Sequence, residues 1–199
     1  MDDPAQTHQL DLAAPAAELA RLAAAVTDAQ LEQPTPCDFP VRTLLSHVLG
    51  LCVAFTDGAA KILGPTTTTA PDAAETPLPQ GWRDELPVRL QALVQAWRDP
   101  AAWTGETTVG GVTMPAPMIG AVANDELVLH GWDLARATGQ DFHVAPANLD
   151  AAWQMVAHTP HDPAARAGLF GPVVPVAEDA PLLNRVLGGA GRDPGWTSP

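Results

Sequence analysis

Apolar side chains recur every three or four positions along five stretches of the chain, which is the spacing of amphipathic helices. The predicted helices cover residues 10–26, 38–63, 82–97, 115–137 and 146–158. Asp38 is expected to cap the second helix and Pro40 to occupy its first turn, because both residue types suit a helix start. Gly139 follows the fourth helix and favours its end there. The pattern therefore predicts a mainly helical protein.

The segments between these helices carry other patterns. Residues 64–81 are rich in Pro, Thr and Ala without apolar periodicity, which predicts an exposed loop. Thr, Val and Gly alternate roughly over 104–114 and indicate an irregular extended hairpin. Residues 160–175 are predicted as an extended loop with a short strand at 173–174, and 179–187 as a short last helix. Four long helices with a long connection between the second and third indicate an all-α four-helix bundle, with an extra C-terminal helix and short extended segments.

Composition and charge narrow the class of protein. The 199 residues are enough for one domain with its own core, and we expect a single domain over 1–199. With 46% hydrophobic and 17% charged residues, the chain resembles an ordinary globular protein. Lys and Arg number 10 against 23 Asp and Glu, and the net charge of -13 repels phosphate backbones and anionic lipid surfaces. Nucleic acid and membranes are therefore not expected as partners.

The sequence also bears on location. Its apolar stretches are interrupted by polar residues and fall short of the roughly 20 residues that cross a bilayer. The first residues, Met1 to Pro4, are acidic, whereas a secretion signal begins with basic residues. Cys37 and Cys52 are the only cysteines, which leaves no disulfide framework. We therefore expect a cytoplasmic protein in a reduced compartment.

Three ionisable residues occupy positions that the helical pattern marks as buried. Glu126 and His130 are four residues apart, so they share one face of the fourth helix. That face should pack inside the bundle, where an unpartnered carboxylate costs several kcal/mol. His47 lies on the apolar stripe of the second helix, between Leu44 and Leu51. Two imidazoles and one carboxylate are a typical set of ligands for a catalytic zinc ion, with a fourth position open to water or substrate.

The pattern alone leaves other interpretations open. A single His on an apolar face is more often a hydrogen-bonded core residue than a ligand, and this spacing of Glu and His arises by chance in many helices. The three residues could then simply bond to one another in a bundle without metal. Asp133 could orient a ligand imidazole, or it could bond to Arg136 or Trp132. Cys37, at the mouth of the second helix, could be a reactive thiol or an inert one.

Two segments carry a resemblance to a known family. They are PTPCDFPVRTLLSHV at 34–48 and DELVLHGWDLARATG at 125–139. Both resemble DinB-like metal-binding proteins, and more closely the mycothiol-dependent maleylpyruvate isomerase N-terminal domain group. Residues 170–171, 180–183 and 191–194 also resemble the single-domain branch of that group. The similarity therefore extends over nearly the whole chain, and the run HGWDLARATG is its most specific part.

The resemblance implies a four-helix bundle that binds a divalent metal, zinc in the isomerase and sometimes nickel in other DinB-like proteins. By motif, the family's ligands fall on His47, Glu126 and His130. In that group the metal activates a low-molecular-weight thiol, mycothiol or bacillithiol, for attack on a small electrophilic substrate. Coordination lowers the pKa of a thiol and keeps the thiolate ready at neutral pH. The catalytic group would then be a metal-bound thiolate or water, with Asp133 behind the ligands.

The implied function is a metal-dependent thiol S-transferase or isomerase. The isomerase has a second, C-terminal domain that these 199 residues do not include, so the resemblance implies the thiol chemistry rather than a particular substrate. The alternative is a non-catalytic metal-binding or stress-response bundle in which the ion is structural. Because dimers occur among DinB-like proteins, a homodimer is a further expectation.

Overall fold

A computed structural model describes residues 9–70, 76–166 and 168–198 of the chain. Helices dominate it, with one short two-stranded sheet, as the sequence predicts. The helices are α1 (Ala13–Ala24), α2 (Val41–Ala59), α3 (Pro65–Thr68), α4 (Trp82–Trp97), α5 (Ala116–Thr138), α6 (Pro146–His158), α7 (Pro163–Arg166) and α8 (Leu182–Gly189). The strands are β1 (Glu106–Val109) and β2 (Val112–Pro115). Within the described residues, no helix is both long enough and apolar enough to cross a bilayer.

Four long helices form the bundle. Helix α2 contacts α4 and α5, and α1 contacts the same two helices, so each member has two neighbours. Their apolar stripes meet in one core that includes Leu19, Leu44, Phe55, Leu90 and Leu134, each at most 2% exposed. Burial of large apolar side chains from all four helices is the main force that holds α2 beside α5. This pairing positions the candidate site.

Helix α5 is buried on a second side as well. Leu129 and Trp132 pack with Ala152 and Val156 of α6 and with Val186 of α8 in a separate apolar cluster. Because neighbours cover α5 on both sides, nearly all of its second half is buried. A polar residue on this half therefore has to find its partners inside the protein.

The start of α2 differs from the prediction. The helix begins at Val41, and Pro40 is the extended residue before it, with φ -67° and ψ 154°. Asp38 does not cap the helix; its backbone is left-handed, with φ 65°. The reason is a tight turn, in which the Thr35 amide donates to the Phe39 carbonyl at 3.0 Å. Asp tolerates a left-handed conformation better than most residues, so it occupies the turn instead of the cap.

Other boundaries are partly as predicted. The hairpin at 104–114 is confirmed as β1 and β2, and the glycines between them adopt the positive φ of a tight hairpin turn. The predicted loop at 64–81 contains the short helix α3, and its residues 71–75 lie outside the described residues. The strand predicted at 173–174 is wrong, because Val174 donates to the Gly188 carbonyl at the end of α8 and pairs with no strand in the described residues.

Candidate metal centre

Helices α2 and α5 bring the three predicted ligands together. One ligand atom each from His47, Glu126 and His130 lies within 4.8 Å of the others. The shortest contact joins His130 Nε2 to Glu126 Oε2 at 2.9 Å. The rings of His47 and His130 meet edge to face, with centroids 5.2 Å apart. Residues separated by about eighty positions in sequence therefore converge on one point.

The donor set fits a divalent cation. Imidazole nitrogen and carboxylate oxygen bind zinc at about 2.0–2.2 Å, which places two ligand atoms of a tetrahedral ion about 3.4 Å apart. The three ligand atoms lie within 4.8 Å of one another, so all three are near enough to share one ion. His130 is 8% exposed, whereas 29% of the Glu126 side chain is exposed and His47 is also partly exposed. The centre thus has a buried floor at His130 and an accessible side.

Glu126 is anionic in this environment. Burial raises the pKa of Glu126, but the hydrogen bond with His130 and the charges of His130, His47 and Arg192 outweigh it, and the pKa lies below its ordinary value. A carboxylate that stays ionised at low pH is a suitable ligand for a hard or borderline cation.

Asp133 supports His130 from the opposite side. Its carboxylate is completely buried, and Oδ2 lies 3.1 Å from His130 Nδ1. Arg192, which follows α8, donates from Nη2 to the same oxygen at 3.1 Å. Burial raises the pKa of Asp133, but the bond with His130 and the charge of Arg192 lower it below the ordinary value. Of the two sequence interpretations, contact with the imidazole is the one observed; Arg136 bonds instead to the Trp196 carbonyl.

His130 therefore lies between two carboxylates. Burial disfavours the charged ring, yet the hydrogen bonds with Asp133, Cys37 and Glu126 raise the pKa of His130 well above its ordinary value. Without a bound cation, this shift favours the ring with a proton on each nitrogen. The Nδ1 proton faces Asp133, and the Nε2 proton faces Glu126.

A second group of potential ligands overlaps the first. Cys37, His130 and Asp133 also place one ligand atom each within 4.8 Å of one another. This side of the imidazole already has a cation, because the guanidinium of Arg192 bonds to Asp133. A second positive charge would be repelled there, so the group with His47 is the better place for a metal ion.

The sequence pattern did not reveal three features of this region. Arg192 lies in an irregular segment, where no periodicity marks it as buried. The closeness of Cys37 to His130 depends on how the turn before α2 folds over α5. Asp125 is 4% exposed, and neither of its carboxylate oxygens accepts a hydrogen bond from the described residues. Burial first, and then the charge of Glu126, raise the pKa of Asp125 well above its ordinary value.

The other cysteine has no connection with this centre. Cys52 is 1% exposed in the bundle core. Burial raises the pKa of its thiol to about 12, so it stays protonated and unreactive at neutral pH.

Comparison with known proteins identifies the family. The sequence-family model described as "Mycothiol maleylpyruvate isomerase N-terminal domain" matches residues 12–135, more than half of the chain. Among solved structures, a crystal structure of the mycothiol-dependent maleylpyruvate isomerase is 20% identical, with a TM-score of 0.57 over 77% of this chain and 69% of that one. A histidine-to-alanine mutant of that enzyme is 19% identical over the same shares, with a TM-score of 0.56. None of the curated proteins matches the chain.

The structural likeness shows a shared fold, and the family match agrees with the DinB-like helical bundle expected from the sequence. The matched region includes α2 and nearly all of α5, and thus His47, Glu126, His130 and Asp133. Arg192 lies beyond it. The chain belongs to the mycothiol maleylpyruvate isomerase N-terminal domain family.

Proposed function

We propose that this chain binds one divalent metal ion through His47, Glu126 and His130 and uses it with a low-molecular-weight thiol of the mycothiol type. Zinc is the first expectation, and nickel or another divalent metal is the alternative. The convergence of these three side chains from two helices carries the proposal. Membership of the family supports the choice of thiol.

The residues of the site have separate tasks in this proposal. Asp133 holds the Nδ1 proton of His130, which leaves Nε2 on the side of Glu126 and His47 for the cation. Glu126 supplies the negative charge. A divalent ion held there would lower the pKa of a thiol and stabilise the thiolate at neutral pH. The partial exposure of Glu126 and His47 gives a thiol and a small electrophile access to the centre.

Two types of reaction begin with attack by this thiolate. In an isomerase the thiol adds to the electrophile and is expelled again, so the thiol is recovered unchanged. In an S-transferase the new carbon–sulfur bond persists and the thiol is consumed. The names of the similar structures favour the isomerase. The electrophile is to be identified by assaying candidate compounds.

The first experiment is elemental analysis of protein purified without added metal and without a histidine tag. We expect about one zinc or nickel ion per chain in the wild type and none in His47→Ala. The control is His158→Ala, because His158 is exposed and its Nδ1 bonds to the Gln154 carbonyl on the same helix. Absence of metal from the wild type, or equal loss from both variants, would contradict the proposed ligands.

The second experiment tests the thiol. Metal-loaded protein is mixed with mycothiol and either maleylpyruvate or a maleimide, and the free thiol is followed over time. Isomerisation with constant thiol supports the isomerase, and accumulation of a thioether faster than in a protein-free mixture supports the transferase. The non-catalytic alternative predicts that the ion raises the melting temperature without turnover of either compound.

A further inference from the structure

Arg192 reaches the metal centre from a part of the chain outside the family match. It lies just after α8, with a side chain only 11% exposed. Its Nη1 donates to the Ala190 carbonyl at 3.0 Å, and its backbone amide donates to the Leu187 carbonyl at 2.8 Å. These bonds fix the guanidinium relative to the end of α8. Arg192 is therefore a built-in part of the interior rather than a mobile surface residue.

The path of the backbone next to Arg192 is also constrained. Gly191 has φ 86°, a conformation that glycine adopts without steric strain. A Cβ at this position would lie 2.7 Å from the backbone of Gly171, so the two chain segments are in close contact. The turn at Gly191 thus places Arg192 beside Asp133, and a larger residue at position 191 would strain this path.

Asp133 connects Arg192 to the candidate ligand His130. Its Oδ2 accepts from both side chains, at 3.1 Å in each case. Asp133 is completely buried, so its position depends on these partners rather than on water. A carboxylate held by a guanidinium on one side has a restricted orientation, which in turn restricts the imidazole that it contacts on the other side.

We propose that Arg192 is a positioning residue for the metal centre. Through Asp133 it holds the ring of His130 with Nδ1 turned away from the ion and Nε2 turned toward Glu126. The consequence for metal affinity rests on the proposed function, whereas the orientation of the ring does not. The C-terminal segment around α8 is then part of the site, although the family match ends before it.

The experiment compares Arg192→Met and Arg192→Lys with the control Arg136→Met. Arg136 lies on α5 and donates to the Trp196 carbonyl, so its loss removes the same charge and a contact with the same C-terminal segment. Zinc affinity is measured by competition with a chromophoric chelator. We expect about 10–100-fold weaker binding in Arg192→Met, the range for loss of a group that orients a ligand. Arg192→Lys should be intermediate, and the control should remain within about twofold of the wild type.

A second readout separates positioning from a general loss of stability. Nitrogen-15 NMR of the histidine rings, recorded on zinc-free protein, reports the hydrogen bond between His130 Nδ1 and Asp133. We expect this signal to change in Arg192→Met and to be partly restored in Arg192→Lys, which keeps the charge beside Asp133. An unchanged signal and zinc affinity in Arg192→Met, or equal effects in the Arg136→Met control, would overturn the proposal. If wild-type protein bound no zinc, the proposed function would fail while the zinc-free spectra still decided the role of Arg192.

Discussion

Binding of a cation should expel a proton from His130. Both ring nitrogens face carboxylates, with Nε2 2.9 Å from Glu126 and Nδ1 3.1 Å from Asp133. These contacts raise the pKa of His130 well above its ordinary value, despite burial. A cation can reach the Nε2 lone pair only after the proton there has left. We therefore expect zinc binding at pH 7 to release about one proton from this ring.

The magnitude follows from that single proton. Below the raised pKa, each unit of pH changes the apparent affinity for zinc about tenfold, which corresponds to about 1.4 kcal/mol. Asp133→Asn removes the negative charge next to Nδ1, so the ring is protonated less and releases fewer protons at pH 7. The same variant should bind zinc more weakly, because an amide holds the ring less firmly than a carboxylate.

Isothermal titration calorimetry measures the proton directly. Zinc is titrated at pH 7 in two buffers with different ionisation enthalpies, and the difference in heat gives the number of protons released. We expect about one for the wild type and a smaller number for Asp133→Asn. A number near zero in the wild type, or the same number in both proteins, would refute the assignment of the proton to His130.

The same group gives the metal-free protein a pH-dependent stability. The pKa of His130 is raised in the folded state, so its stabilising contribution is fully present below the unfolded value of about 6.5. That contribution is lost as the pH rises through the folded pKa. Urea unfolding of metal-free protein should therefore show decreasing stability above neutrality, and Asp133→Asn should weaken this dependence.

Two further predictions concern buried residues, and a third concerns the proposed metal site. Asp125→Asn should raise the melting temperature at pH 8 by several degrees, because burying a carboxyl that ionises freely in the unfolded chain costs about 1–3 kcal/mol. The gain should vanish near pH 4, where the buried aspartate is neutral, and a gain at both pH values would contradict this explanation. Gly120→Ala should lower the free energy of unfolding by about 1–3 kcal/mol, because a Cβ there would lie 2.9 Å from Trp97 and closer still to Trp103. An unchanged urea midpoint would mean that the two indole rings move aside. Zinc at about 100 times its dissociation constant should stabilise the wild type against thermal unfolding by about 2.7 kcal/mol. An equal stabilisation of His47→Ala would exclude His47 as a ligand.

Local sequence determined the long helices and part of the site. The apolar spacing in 82–97 predicts α4 with its observed bounds, because a helix with one buried face needs this period. The spacing of Glu126 and His130 likewise places both on one face of α5 before any neighbour is known. Where local patterns compete, the prediction fails. At Asp38, the hydrogen bonds of a tight turn decide the backbone, and at 173–174 the end of α8 replaces the expected strand.

The tertiary structure decided what surrounds these residues. The packing of α2 against α5 brings His47 to His130, and the turn before α2 adds Cys37 to the same region. Arg192 could not be found from its own neighbourhood, because its role depends on a contact with Asp133 that joins positions 59 residues apart. Periodicity records which side of a helix is buried, but it does not record what lies opposite. The sequence by itself therefore determined the long helices and the candidate ligands, and only the packing of distant segments decided the charges and hydrogen bonds that set the chemistry of His130.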